Sequence, residues 1–163
     1  IMDPFETRTL FTNLSKLFPS AEFEFHGHND LGMATANALA AIKGGARCVS
    51  ATVNGIGERA GNSCLEELIG ILHHKMGDTR FNTRIINHLS QFVAEVDGTE
   101  IHASKPITGS NAFRHESGIH VSAMLKNPLS YQVLNPDDFG CGPISYIEGK
   151  HSGKKKICHK VKP

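Results

Sequence analysis

Between residues 3 and 75 the sequence alternates helical and extended patterns in the order helix, strand, helix, strand, helix, and this alternation restricts the fold more than anything else in the chain. It is the grammar of a parallel sheet with helices laid on it, because parallel neighbours need a crossover long enough to bring the chain back. The first helix is predicted over residues 3 to 18. Asp3 supplies an N-cap, Pro4 takes the first helical position, and Phe5, Leu10, Leu14 and Leu17 recur at near-helical spacing before Phe18-Pro19. Residues 21 to 28 alternate like a buried strand. Residues 32 to 44 are rich in small helix formers that can lie close against a sheet, and Gly44-Gly45 ends them as a glycine C-cap. Cys48 to Val53 reads as a second buried strand, Asn54 to Asn62 as a glycine-rich loop, and Ser63 to Lys75 as a helix. Two strands cannot close a parallel sheet.

After Gly77-Asp78 the pattern changes, dividing the chain into an α/β part, residues 1–77, and a mainly helical extension, residues 78–163. Arg84 to Val96 is predicted to form an amphipathic helix with Ile85, Leu89, Phe92 and Val96 on its apolar face. Lys105-Pro106 to Asn111 reads as an extended connector, Ala112 to Leu125 as partly helical, and Pro128 to Tyr131 as a short segment before a loop-rich end.

Composition removes several classes of protein. Hydrophobic residues make up 39% and charged residues 20%, close to soluble averages. No apolar run approaches the ~20 residues that span a bilayer, and the chain does not open with a signal peptide. The expectation is a soluble, cytoplasmic protein with no membrane partner. The last fourteen residues hold six lysines and no acid, leaving 11 Lys+Arg against 16 Asp+Glu elsewhere, or −5. Without interleaved aromatics that tail does not read as a nucleic-acid site. Cys48, Cys64, Cys141 and Cys158 lie far apart with no Cys-x-x-Cys, so Cys48 in its strand and Cys64 in its helix read as buried free thiols.

The chemistry concentrates at the end of the first strand, in Glu22-Phe23-Glu24-Phe25-His26-Gly27-His28-Asn29-Asp30. Residues two apart on a strand share a face, so Glu24, His26 and His28 point the same way, where α/β barrels build their sites. Two imidazoles in fixed relation are a bidentate grip for a divalent metal. Glu24, one step deeper, either orients that shell or touches substrate. The loop Asn54-Gly55-Ile56-Gly57-Glu58-Arg59-Ala60-Gly61-Asn62 misses the dinucleotide fingerprint by one residue and has no P-loop lysine. It reads instead as a turn bringing Asn54 and the Glu58-Arg59 pair to the histidines. Asn54 can offer a metal its carbonyl oxygen; Arg59 can grip a carboxylate or simply hold Glu58. Downstream, Arg114, His115, Glu116 and His120 form a second cluster able to move protons. His73-His74 reads as a solvated pair.

Four motifs together resemble the acyl-CoA Claisen-condensing metallolyases, the family of homocitrate synthase, 2-isopropylmalate synthase and citramalate synthase. They are His26-Gly27-His28-Asn29-Asp30-Leu31-Gly32-Met33-Ala34, the Asn54 to Asn62 loop, His115-Glu116-Ser117-Gly118-Ile119-His120, and Gly149-Lys150-His151-Ser152-Gly153. The resemblance implies an α/β chain carrying the last part of a TIM (β/α)8 barrel, followed by the helical extension. His26 and His28 would end the seventh strand and the Asn54 loop would follow the eighth. A divalent ion, magnesium, manganese or zinc, would bind both histidines with Asn54 as a further or water-bridged ligand, and would polarise the ketone of a 2-oxo acid. A base then takes a methyl proton from acetyl-CoA, the carbanion attacks the ketone, and thioester hydrolysis releases CoA. The resemblance implicates His120 in the proton chemistry and Tyr131 in completing the site, both lent by a partner subunit of a homodimer. It leaves Asn29, Asp30, Glu58 and Arg59 as substrate-binding or loop-supporting residues.

Departures from the family set further expectations. Its first strand carries an arginine and an acidic metal ligand, and no such strand precedes Ile1. A fragment, a split-gene subunit needing a separate amino-terminal half, or a truncated chain is therefore expected, inactive alone and weak in metal binding. Ala34 to Leu39 and His120-Val121, where many isopropylmalate synthases have Gln after the histidine, tilt the reading toward the homocitrate synthase of nitrogenase-cofactor assembly, acting on 2-oxoglutarate. The alternatives are a 2-isopropylmalate synthase of leucine biosynthesis and a non-catalytic partner chain.

Overall fold

A computed structural model describes residues 1–116, 127 and 132–146, which divide into two compact units, Ile1–Phe81 and Asn82–Pro163. In the first unit α1, Pro4–Leu17, opens with a complete capping box: Asp3 accepts the Glu6 N–H at 2.8 Å while the Glu6 carboxylate accepts the Asp3 N–H at 2.9 Å. β1, Glu24–His26, runs parallel to β2, Cys48–Ser50, with Phe25 opposite Val49, and α2, Ala34–Gly44, is the crossover between them. α3, Leu65–Met76, follows the second loop. Gly45 and Gly77 close α2 and α3 in the left-handed conformation.

Both strands are shorter than the sequence pattern suggests. Beyond His26 the chain stops pairing with β2 and turns to the second loop, through an antiparallel bridge from His28 to Asn62; beyond Ser50, Thr52 bridges Cys64. The core lies under the helices. Phe25 packs with Phe11, Ala41 and Ala46 on one side and with Ala38, Leu68 and Leu72 on the other. Burying Phe11 alone contributes about 2 kcal/mol at ordinary transfer values. α1 and α2 touch at their backbones, since a Cβ on Gly44 would sit 2.7 Å from that of Phe11 and 2.8 Å from the Arg8 carbonyl oxygen.

Three expectations fail in this unit. The stripe Phe5, Leu10 and Leu17 is exposed and α1 buries Thr7 and Phe11 instead, because the close approach to the small-residue helix α2 selects the face bearing Phe11. Cys48 is exposed, opposite the exposed Glu24. Cys64 is buried but precedes α3 as its N-cap instead of lying within it.

In the second unit α4, Ile86–Asp97, buries Ile86, Ser90 and Ala94; of the predicted apolar face Phe92 and Val96 are exposed, as is Ile85 just before the helix, and Leu89 is half-buried. Residues 105 to 111 are not extended. They fold into tight turns, with the Gly109 N–H on the Lys105 carbonyl at 3.1 Å and the buried Ile107 held at φ +66. Arg114 and His115 form a short strand, β3, parallel to β4, Ser145–Tyr146, in place of the start of a helix. A 3-10 turn at Pro136–Phe139 drives Phe139 into the interior. His120, Tyr131 and the segment Gly149 to Gly153 lie outside the described residues.

Candidate metal and substrate site

His26 leaves the end of β1 and His28 stands two residues on, in the bridge to Asn62. Their Nε2 atoms are 3.4 Å apart, with the rings nearly perpendicular at 83°. Two imidazole nitrogens each about 2.1 Å from one ion, at a near-tetrahedral angle, stand about 3.4 Å apart, so the spacing suits a shared metal. The bridge also holds two partnerless buried atoms, one of them the His28 ring nitrogen that does not face His26. Among the described residues three buried side-chain atoms lack a hydrogen-bond partner, and two of them, His28 Nδ1 and Asn62 Oδ1, belong to the residues joined by this bridge. No group of three or more His, Cys, Asp or Glu side chains converges among the described residues. Asn62 Nδ2 donates to the Ile56 carbonyl at 3.2 Å, leaving its oxygen as the partnerless edge.

The two loops are laced together. The Asn29 N–H donates to the Gly61 carbonyl at 2.8 Å, and the Ser63 N–H to that of Gly27 at 3.3 Å. The Asn29 side chain accepts the Ala34 N–H at 3.1 Å and so caps α2 from five residues upstream. Arg59 donates Nε and Nη2 to the two carboxylate oxygens of Asp30, at 2.7 and 3.0 Å, a bidentate clasp between the loops. That hydrogen-bonded guanidinium holds Asp30 below the usual carboxylate range, and Asp30 in turn raises Arg59. Glu58, exposed and 3.8 Å from Arg59, is the lesser partner. Glu24, His26, His28, Asp30 and Arg59 share a cavity of about 420 Å³ with Phe25, Leu31 and Met33. The lining thus combines charged and apolar side chains.

Asn54 is placed differently. It stands in the left-handed conformation at φ +60, and its backbone N–H donates to both oxygens of Glu66 at 2.9 and 3.0 Å. Glu66 is only 1% exposed and also accepts the Cys64 thiol at 2.9 Å. Sequence reasoning passed over Asn62 and Glu66. Position at the loop's end and a double acid in the first turn of a helix were the available signals, and both look ordinary until tertiary pairing is known. In the second unit His115 shares a 2.7 Å hydrogen bond with Gln132.

Comparison with known proteins places these features. A family model described as HMGL-like matches residues 1–93, and one described as homocitrate synthase post-HMGL domain-like matches residues 107–163. The chain is 42% identical to a 2-isopropylmalate synthase of Caulobacter vibrioides over 98% of its own length and 32% of the relative's. It is 47% identical to the homocitrate synthase AksA of Methanopyrus kandleri over 83% of its length and 34% of that protein. It is 45% identical to 2-isopropylmalate synthase 2 of Caldanaerobacter subterraneus over 99% of its length and 42% of that protein. The chain thus spans about a third of these relatives. Among solved structures, an HMG-CoA lyase from Acenitobacter baumannii, in complex with coenzyme A and 3-methylmalate, superimposes over 61% of the chain and 34% of the lyase, with a TM-score of 0.55 and 24% identity. At that identity the likeness speaks to fold alone: the first unit is part of a TIM barrel, with no closed barrel among the described strands.

Proposed function

Because this chain belongs to the HMGL-like family, we propose that it supplies the histidine side of an acyltransferase site that condenses acetyl-CoA with a 2-oxo acid. The observation that carries the reading is the pair of imidazole nitrogens 3.4 Å apart at the end of β1, on a cavity that also holds Glu24, Asp30 and Arg59. His26, His28 and the Asn62 oxygen would hold a divalent ion, magnesium, manganese or zinc, with Asn54 as the alternative amide. When bound, the ion supplies Lewis-acid polarisation of the keto group. Glu24 lies on the same cavity and orients substrate or ligands, while the Asp30–Arg59 clasp and the Asn29 N–H on the Gly61 carbonyl keep the two loops in register. His120 would take up and return the proton as the acetyl methyl carbon bonds to the keto carbon, Tyr131 would complete the site, and hydrolysis of the thioester would then free CoA. Both residues would be lent across a homodimer.

The 2-oxo acid is read as 2-oxoglutarate, giving homocitrate, with support from the post-HMGL match and the 47% identity to AksA. A second reading, 2-oxoisovalerate giving 2-isopropylmalate, has its own support in relatives matched over 98 and 99% of the chain. Neither ligand histidine is accompanied by a converging carboxylate among the described residues, so catalysis would need barrel strands that bring one. Thiol release from acetyl-CoA with a panel of 2-oxo acids, by the chain alone and co-expressed with the amino-terminal barrel strands of a relative, tests the reading. Turnover is expected only in the complemented form, with 2-oxoglutarate preferred, and replacing both histidines (His26→Ala with His28→Ala) should lower it at least a thousandfold, within the loss expected when a metal's ligands are removed. Unchanged turnover in that variant would overturn the metal assignment.

A further inference from the structure

We propose that Glu66 is a positioning residue, setting the Asn54–Asn62 loop from the first turn of α3 and thereby Asn62, whose backbone bridges His28. Glu66 is almost wholly buried, and burying a carboxylate carries a heavy desolvation cost unless strong hydrogen bonds offset it. Here both oxygens converge on one amide, that of Asn54, and Oε2 also accepts the Cys64 thiol. The amide they hold belongs to Asn54 at φ +60, the left-handed region that asparagine enters more readily than other non-glycine residues and that this contact helps hold. A charged acceptor enforces it more strongly than a neutral one.

From Asn54 the constraint passes to Asn62 through direct contacts. Gly55, the next residue, accepts the Asn62 N–H at 3.0 Å. Gly57 lies so close to the Asn62 side chain that a Cβ there would be 2.7 Å from its Cγ, and Ile56 accepts its Nδ2. Residues 55 to 57 therefore fix both ends of Asn62 and leave its oxygen as the edge without a partner. The adjacent Glu67 does something else: it accepts the Thr35 hydroxyl at 2.9 Å, tying α3 to α2. Two consecutive acids thus divide the work, one holding the loop and the other the helix.

The comparison of Glu66→Gln with Glu67→Gln in the full chain tests this, read by the imidazole 15N shifts of His28, the side-chain amide signals of Asn62, and Mn2+ affinity by paramagnetic resonance. In Glu66→Gln the His28 and Asn62 signals should move and Mn2+ affinity should fall about tenfold or more, as for lost outer-shell support of a metal ligand. In Glu67→Gln the signals should stay in place and affinity should hold within about twofold. The Mn2+ reading rests on the proposed metal site. If the wild-type chain binds no Mn2+, that reading fails, and the His28 and Asn62 signals alone decide the role of Glu66. Unmoved signals in Glu66→Gln, or equal movement in both variants, would overturn it. Should Glu66→Gln not fold, Cys64→Ala, which removes the thiol donor to Glu66, decides by the same signals: movement supports the proposal and its absence overturns it.

Discussion

The two loops that meet at the histidines are built on opposite plans. The β1 loop, residues 27 to 33, is short and carries the charged chemistry: His28 and Asp30 project from it, and its Gly32 stands in open space. The β2 loop, residues 54 to 62, is longer and mostly self-packed, with Asn54, Gly55, Arg59 and Gly61 at positive φ and its turns crowded against one another. The first loop presents groups and the second sets where they stand. At its very end Asn62 leaves a neutral amide oxygen without a partner.

The largest effect that would break this contrast is on stability. Gly61 has φ +88 and its missing Cβ points into the Gly55 carbonyl oxygen, so Gly61→Ala adds a backbone penalty to a backbone clash and should lose about 2–4 kcal/mol. Gly32 has φ +71 but no atom within 4 Å of a Cβ, so Gly32→Ala bears the backbone penalty alone, about 1 kcal/mol. Denaturant unfolding of the two variants gives both values. Equal losses would mean that the second loop is no more tightly specified than the first.

What was legible in the sequence follows the same division. The Asp3-Pro4 start, the Gly45 stop and the alternation that sets Glu24, His26 and His28 side by side are local chemistry, readable from neighbours along the chain. The α/β order was legible for the same reason. The buried faces of α1 and α4 were not, because each helix carries apolar residues on more than one side and only packing chooses between them. Nor were Asn62 and Glu66. Asn62 becomes notable through a bridge to a residue thirty-four positions earlier, and Glu66 through an amide twelve positions earlier, and no spacing rule connects either pair. Strand lengths were overestimated because the loops take over from β1 and β2 in pairing the extended backbone.

A second test sharpens the contrast at the level of ligands. If the β2 loop contributes through its end and not through its start, Asn62→Ala should weaken Mn2+ binding about tenfold, the scale of losing one neutral oxygen and the order it imposes. Asn54→Gly should weaken it less than about threefold, since the Asn54 contact with Glu66 runs through a backbone N–H that glycine retains and glycine accepts φ +60. Titration calorimetry of the two variants with Mn2+ separates them. The reverse order of losses would return Asn54 to the ligand set in place of Asn62.

The smallest effect concerns the clasp between the loops. Asp30 is held below its ordinary pKa of 3.8 chiefly by the hydrogen-bonded Arg59, so the ionised clasp favours the folded state fully above 3.8 and the benefit fades as pH falls through the lower, folded value. Because the pair is solvent-exposed, its trace in global stability is slight, and the carboxyl carbon shift of Asp30 is the better observable. Arg59→Gln should raise the Asp30 midpoint toward 3.8. Asp78 serves as the internal reference: Arg80 hydrogen-bonds it from both side chain and backbone and lowers it to about 2, and nothing in Arg59→Gln disturbs that partner. An Asp30 midpoint that stays low in the variant would show that His28 and the backbone hold the charge down without the guanidinium. The first loop would then carry its own electrostatics, and the second would contribute shape alone.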